Sequence, residues 1–131
     1  MRVVTKRGDK GMTSTLDGRR VSKASNEIEF VGTIDELQSF LGILPRTDEI
    51  EEIQRELYKI MAGEAGDVSI IDSYIESMHV PNITSFVIPT GWTHVCRTVC
   101  RRAERISVIC ERDASRFLNR LSDYLYILTL Q

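Results

Sequence analysis

Four arginines fall within nine residues between Arg97 and Arg105, in the run Arg-Thr-Val-Cys-Arg-Arg-Ala-Glu-Arg. Val95, Val99, Ala103, Ile106 and Ile109 recur around them at three- and four-residue steps, which predicts a helix with an apolar stripe. Arg97, Arg101 and Arg105 are spaced by four and share a second face of that helix. At about 1.5 Å per residue they span about 12 Å. Like charges at this spacing cost a few tenths of a kcal/mol per pair in an isolated helix, so the face needs anions. Two chemistries meet that need. One is a solvated basic face with carboxylate partners on a neighbouring helix. The other is a site for a polyanion such as a triphosphate, which suits the planar donor fork of arginine.

A second stretch offers anion chemistry of a different kind. Residues 1–24 contain Thr5-Lys-Arg-Gly8-Asp9-Lys10-Gly11-Met-Thr13-Ser14-Thr15, followed by Asp17-Gly18-Arg19-Arg20-Val21-Ser22-Lys23. Gly8 and Gly11 permit positive φ and close approach of backbone to a ligand. Turns of this kind aim successive N–H groups into one concavity, which suits phosphate oxygens. Lys6, Lys10 and Lys23 add positive charge. The run is not a Walker A loop, because no strand precedes it and the Gly-Lys-Ser/Thr ending is missing. A flexible basic arm is the other reading.

These two stretches sit in a chain of 131 residues, the length of one domain. The expected division is residues 1–24 as a loop and 25–131 as a helical bundle. A net charge of −2 provides no global field for nucleic acid or a membrane surface. No apolar run reaches the roughly 18 to 20 residues of a membrane span, and the N-terminus has no signal-peptide core. Three cysteines are an odd count and fit free thiols in a reducing cytoplasm. The only histidines, His79 and His94, lack metal-ligand spacing, and Glu76-x-x-His79 occurs once where a di-iron bundle needs two such pairs. No metal site is expected.

The elements that position the arginines follow from periodicity. A first helix is predicted over about 25–44, with Ile28, Val31, Ile34, Leu37, Leu41 and Leu44 inward and Pro45 ending it. Asp35 on this helix is either a surface carboxylate or a partner for a helix-face arginine. Thr47 caps a second helix whose acidic first turn suits the helix dipole and whose acidic face is expected to be solvated. A short third helix covers about 69–78. Residues 80–92 are extended, and their Phe86 and Trp92 are either core plugs or a wall for a flat ligand, with core the commoner outcome. The arginine helix runs from about Trp92 to Arg112. Ser115 caps a last helix, where mid-helix Asn119, a poor helix former, is suited to hydrogen bonding. No strand of useful length is predicted. The fold class is all-α, an up-and-down bundle.

Four motifs in order along the chain resemble the PduO-type ATP:cob(I)alamin adenosyltransferases. They are the Thr5–Ser14 run with Lys23 downstream, Gly32-Thr-Ile-Asp35-Glu36-Leu37, Cys100-Arg-Arg-Ala-Glu104-Arg105, and Phe117-Leu-Asn119-Arg-Leu-Ser122-Asp123-Tyr124. The resemblance implies a five-helix bundle and a homotrimer with ATP at subunit junctions. It implies that cob(I)alamin attacks the 5′ carbon of ATP and releases triphosphate, with Mg²⁺ on the phosphates. It implies ATP-binding roles for Thr5, Lys6, Arg7, Gly8, Thr13, Ser14, Lys23, Arg101, Arg102, Glu104, Arg105 and Asn119. Asp35 and Arg97 match an intersubunit salt bridge, and Glu104 is expected to orient the arginines. Phe86 matches an aromatic that displaces the lower axial base of the corrinoid. Arg101, Asn119 and Phe86 are thus the expected catalytic residues.

The chain also departs from the family pattern. Arg7 stands where relatives usually have threonine. The connection Pro89-Thr90-Gly91-Trp92 is shorter than theirs, and the tail that helps cover the corrinoid does not follow Gln131. These departures bear on corrinoid closure more than on ATP binding. A catalytically weak trimer that binds ATP and corrinoid for delivery or sensing is the alternative function. A corrinoid reductase and an adenosylcobalamin-dependent enzyme are the further partners such a reaction implies.

Overall fold

The computed structural model describes residues 1–131. It contains five helices: α1 (Asn26–Leu41), α2 (Asp48–Met61), α3 (Val68–Glu76), α4 (Trp92–Ile109) and α5 (Ser115–Leu128). Ahead of them the expected loop contains a small antiparallel hairpin, β1 (Met12–Ser14) and β2 (Arg20–Ser22). Its cause is the Asp17-Gly18 dipeptide. Gly18 takes φ 88°, and Thr15 and Arg19 close the turn through a 2.8 Å backbone hydrogen bond.

The helix starts follow local rules. Ser25 accepts the Ile28 N–H at 3.3 Å, Thr47 accepts that of Ile50 at 3.1 Å, and Asp67 accepts that of Ser69 at 3.0 Å. Ser115 is no cap, however. It already lies inside α5, which starts from Ala114 without a side-chain hydrogen bond. α1 also stops before Pro45. Beyond Leu41 it tightens into short-range bonds, Ile43 N–H to Phe40 and Leu44 N–H to Leu41, because a residue preceding proline avoids the α region. α4 ends at Ile109 rather than Arg112. Glu111 takes a left-handed φ of 56°, and the Arg112 N–H closes on the Ser107 carbonyl at 2.8 Å.

α4 packs against both α1 and α5, α3 lies on α5, and α2 lies on α1. Phe30, Ile34, Leu37 and Leu41 of α1 meet Ile53 and Leu57 of α2 and Phe117, Leu118, Leu121 and Leu125 of α5 in one core. The buried line of α4 differs from the aliphatic stripe. It runs through His94, Cys96, Val99, Cys100, Ala103 and Ser107, while Ile109 is 64% exposed. Small residues at closest approach let α4 nestle between two helices at once. The Cys100 Sγ sits 3.2 Å from the Leu118 carbonyl across that contact.

The acidic turn of α2 is not simply solvated. Glu49 accepts the hydroxyl of the buried Tyr124 at 2.8 Å, and Glu52 accepts that of Tyr74. Glu56 is itself buried, accepting the Asp67 N–H at 3.0 Å and the Lys59 ammonium at 2.8 Å. No helix is long and apolar enough to cross a membrane.

Candidate functional site

The hairpin and the arm before it gather most of the expected loop residues. Thr5, Arg7, Gly8, Thr13 and Ser14 line one cleft of about 220 Å³, joined by Met12 and Arg20. Lys6 takes a left-handed φ of 62°, a conformation that costs a non-glycine residue about 1 kcal/mol or more and gathers at ligand-binding loops. Thr5 Oγ1 accepts the Arg7 N–H at 3.4 Å, and the Lys23 ammonium donates to the Gly8 carbonyl at 2.9 Å. Sequence reasoning does not single out Arg20. The signal for it is the Asp17-Gly18 turn, which sets Arg20 opposite Ser14 in the hairpin register.

The arginine face is divided by its surroundings. Arg101 and Arg105 are exposed and form no hydrogen bond or ion pair within the chain. Asn119 is likewise exposed, with no side-chain hydrogen bond, on α5 next to the Cys100–Leu118 contact. Helix packing therefore brings the Arg101 and Asn119 positions to adjoining levels of α4 and α5. Arg102 points elsewhere and pairs with Glu36 of α1. The Glu104 side chain bonds none of the arginines, and only its carbonyl is engaged, by Ser107 at 2.6 Å.

Arg97 is half-buried. Its Nε donates to His94 Nδ1 at 3.2 Å, which leaves both Nη groups without a partner in the chain. Asp35 is exposed and also unpaired within the chain, so the two do not meet inside one subunit. His94 is 7% exposed with its ring edge-on to Tyr126. Burial, reinforced by the Arg97 charge, holds its pKa below the usual value. A histidine that resists protonation when folded stabilises the fold fully above its unfolded pKa of about 6.5 and loses that contribution as pH falls through the folded value. Urea titrations should show stability falling as pH drops below about 6.5, at no more than about 1.4 kcal/mol per pH unit from this group. In His94→Gln that component should vanish. An unchanged pH slope in the variant would show that His94 is not its source.

Phe86 is 85% exposed and so is not a core plug. The extended 80–92 segment has too few neighbours to bury it. Trp92 is 53% exposed, with one ring face stacked on Phe40 at 6.0 Å. The two buried thiols of α4, Cys96 and Cys100, provide no nucleophile. Burial pushes Cys96 up to about 11 and Cys100 higher still.

The loop cleft and the Arg101–Arg105–Asn119 face share no hydrogen bond or ion pair within the chain. The cleft is also smaller than the roughly 300 Å³ at which a site for a whole small molecule begins. Each half of the constellation can grip anionic oxygens, and neither encloses a nucleotide.

The comparisons with known proteins agree with one another. A family model described as cobalamin adenosyltransferase matches residues 3–131. The chain is 36% identical over 167 aligned residues to the corrinoid adenosyltransferase of Bos taurus, covering 97% of this chain and 69% of that protein. It is 33% identical to the cobalamin adenosyltransferase of Cupriavidus metallidurans, covering 97% and 85% of the two chains. A solved variant of a PduO-type ATP:corrinoid adenosyltransferase from Lactobacillus reuteri, complexed with cobalamin and ATP, superposes with a TM-score of 0.79 at 27% identity. That match covers 97% of this chain and 91% of that one.

Proposed function

This chain belongs to the cobalamin adenosyltransferase family, and on that premise we propose that it transfers the 5′-deoxyadenosyl group of ATP to cob(I)alamin. The bond from the 5′ carbon to its phosphate oxygen breaks, the cobalt–carbon bond forms, and triphosphate leaves. Cob(I)alamin brings the nucleophile as substrate, so the protein's task is positioning and charge stabilisation. The observation that carries this reading is an exposed pair, Arg101 and Arg105, with no anion of its own chain to face, beside an exposed Asn119. Arg101 and Arg105 hold the triphosphate, Asn119 holds the nucleoside side, and Thr5–Gly8, Thr13, Ser14 and Lys23 grip the phosphates with Mg²⁺. Phe86 stands free to face the corrinoid, where an apolar side chain keeps a lower axial ligand off the metal.

The test is direct. Protein incubated with Mg-ATP and chemically reduced cobalamin should form adenosylcobalamin, followed by its absorbance, well above the protein-free rate. ATP binding without product would favour a delivery or sensing role instead.

The site is completed between subunits of a homotrimer. Two halves that share no hydrogen bond or ion pair within one chain, a cleft too small for ATP, and Asp35 and Arg97 without an ion-pair partner in their own chain support this assembly. Asp35 of one subunit pairs with Arg97 of the next. Asp35→Ala and Arg97→Ala should each weaken self-association by about tenfold or more in sedimentation velocity, and the exchange Asp35→Arg with Arg97→Asp should recover part of it. Single variants that assemble like the parent would remove the salt bridge. The reaction is placed in the cytoplasm, with a corrinoid reductase supplying the electron and an adenosylcobalamin-dependent enzyme taking the product.

A further inference from the structure

We propose that Arg20 is a positioning residue that orients the Gly8 N–H as a phosphate donor. The inference rests on the adenosyltransferase reading above. Arg20 Nη1 donates to Ser14 Oγ at 3.2 Å, and Nη2 donates to the Arg7 carbonyl at 3.1 Å. One guanidinium thus ties the N-terminal arm to β1, and both acceptor residues line the same cleft. The cross-strand register, Ser14 opposite Arg20, fixes the side from which it reaches.

The consequence lies in the peptide plane. The bond between Arg7 and Gly8 is planar and trans, so its C=O and N–H point in opposite directions. A carbonyl held by Arg20 leaves the Gly8 N–H turned away from Arg20. That N–H makes no hydrogen bond within the chain. Lys23 holds the next carbonyl, that of Gly8, at 2.9 Å, so two cations from the β2 side grip consecutive carbonyls. An arm held at its carbonyls offers its amides to an anion without further ordering, and that ordering would otherwise weaken binding. The left-handed Lys6 sets the turn in which this happens.

The experiment measures binding of Mg-ATP and of inorganic tripolyphosphate by calorimetry, with corrinoid binding and Tm as controls. Arg20→Ala should weaken both anions by about tenfold, leaving corrinoid binding and Tm unchanged. Arg20→Lys keeps the charge but cannot serve both acceptors, so it should recover only part of the loss. In ¹⁵N spectra, the Gly8 amide should shift when tripolyphosphate is added to the parent protein and stay still in Arg20→Ala. Parent-like affinity in Arg20→Ala overturns the proposal. Full recovery in Arg20→Lys overturns it too, because charge alone would then suffice. A joint fall of anion binding, corrinoid binding and Tm assigns Arg20 a merely structural role and also overturns it. A parent protein that binds no ATP refutes the adenosyltransferase reading itself, which separates the two failures.

Discussion

Arg101→Ala is expected to lower kcat for adenosyl transfer by about two to three orders of magnitude, the cost of removing one preorganised group from a developing negative charge. The chain itself should barely register the change. Arg101 is exposed and bonds nothing in its own subunit, and its loss relieves like-charge neighbours at Arg97 and Arg105. Stability should therefore stay within about 0.5 kcal/mol of the parent. Arg101→Lys keeps the charge and loses the bidentate fork, so it should fall between the two. Adenosylcobalamin formation and Tm, measured side by side, decide the matter. A Tm that falls together with activity would make Arg101 a structural residue and remove the basis of the site.

Gly66→Ala should be the most disruptive small change in the fold, at about 2–4 kcal/mol and a Tm lower by roughly 10 °C. Gly66 lies in the turn between α2 and α3 with φ 82°, where an L side chain is strained. A methyl group there would meet Phe117 Cγ at 2.8 Å and Ile60 Cδ1 at 2.9 Å, both in the packed core. Gly63, three residues earlier, has φ 113° but open space around it. Gly63→Ala therefore bears the backbone cost alone and should be milder by about 1–3 kcal/mol, the overpacking component. Denaturant melts of the two variants check this, and equal destabilisation would show that the Phe117 contact is not the cause.

The five helices are readable in the sequence because their causes are local. Ser25 and Thr47 satisfy N–H groups three residues away, and the apolar spacing of α1 and α2 matches the helical period within each segment. The four motifs also name the family before any contact is known. The boundaries that slipped did so where neighbours a few residues on decide the turn, as Glu111 does for α4 and Pro45 for α1. The hairpin escaped because three-residue strands carry no periodicity, leaving only Asp17-Gly18 to announce it.

Spacing placed Arg97, Arg101 and Arg105 on one face, and it could say no more about them. Which arginine is engaged depends on partners far along the chain, and helix docking sets those distances. Arg102 finds Glu36 across the α1–α4 contact, Arg97 is steadied by a histidine that packing buries, and Arg101 and Arg105 are left free. Glu49 and Glu52 look like solvated dipole partners until α3 and α5 bring Tyr74 and Tyr124 against them. Phe86 is apolar in the sequence and solvent-facing in the structure, since burial is a property of neighbours and not of residue type. The sequence by itself determined the helices and the charges they display. Only the tertiary structure decided which charges are already satisfied, because pairing falls off over a few ångströms and those ångströms are set by packing.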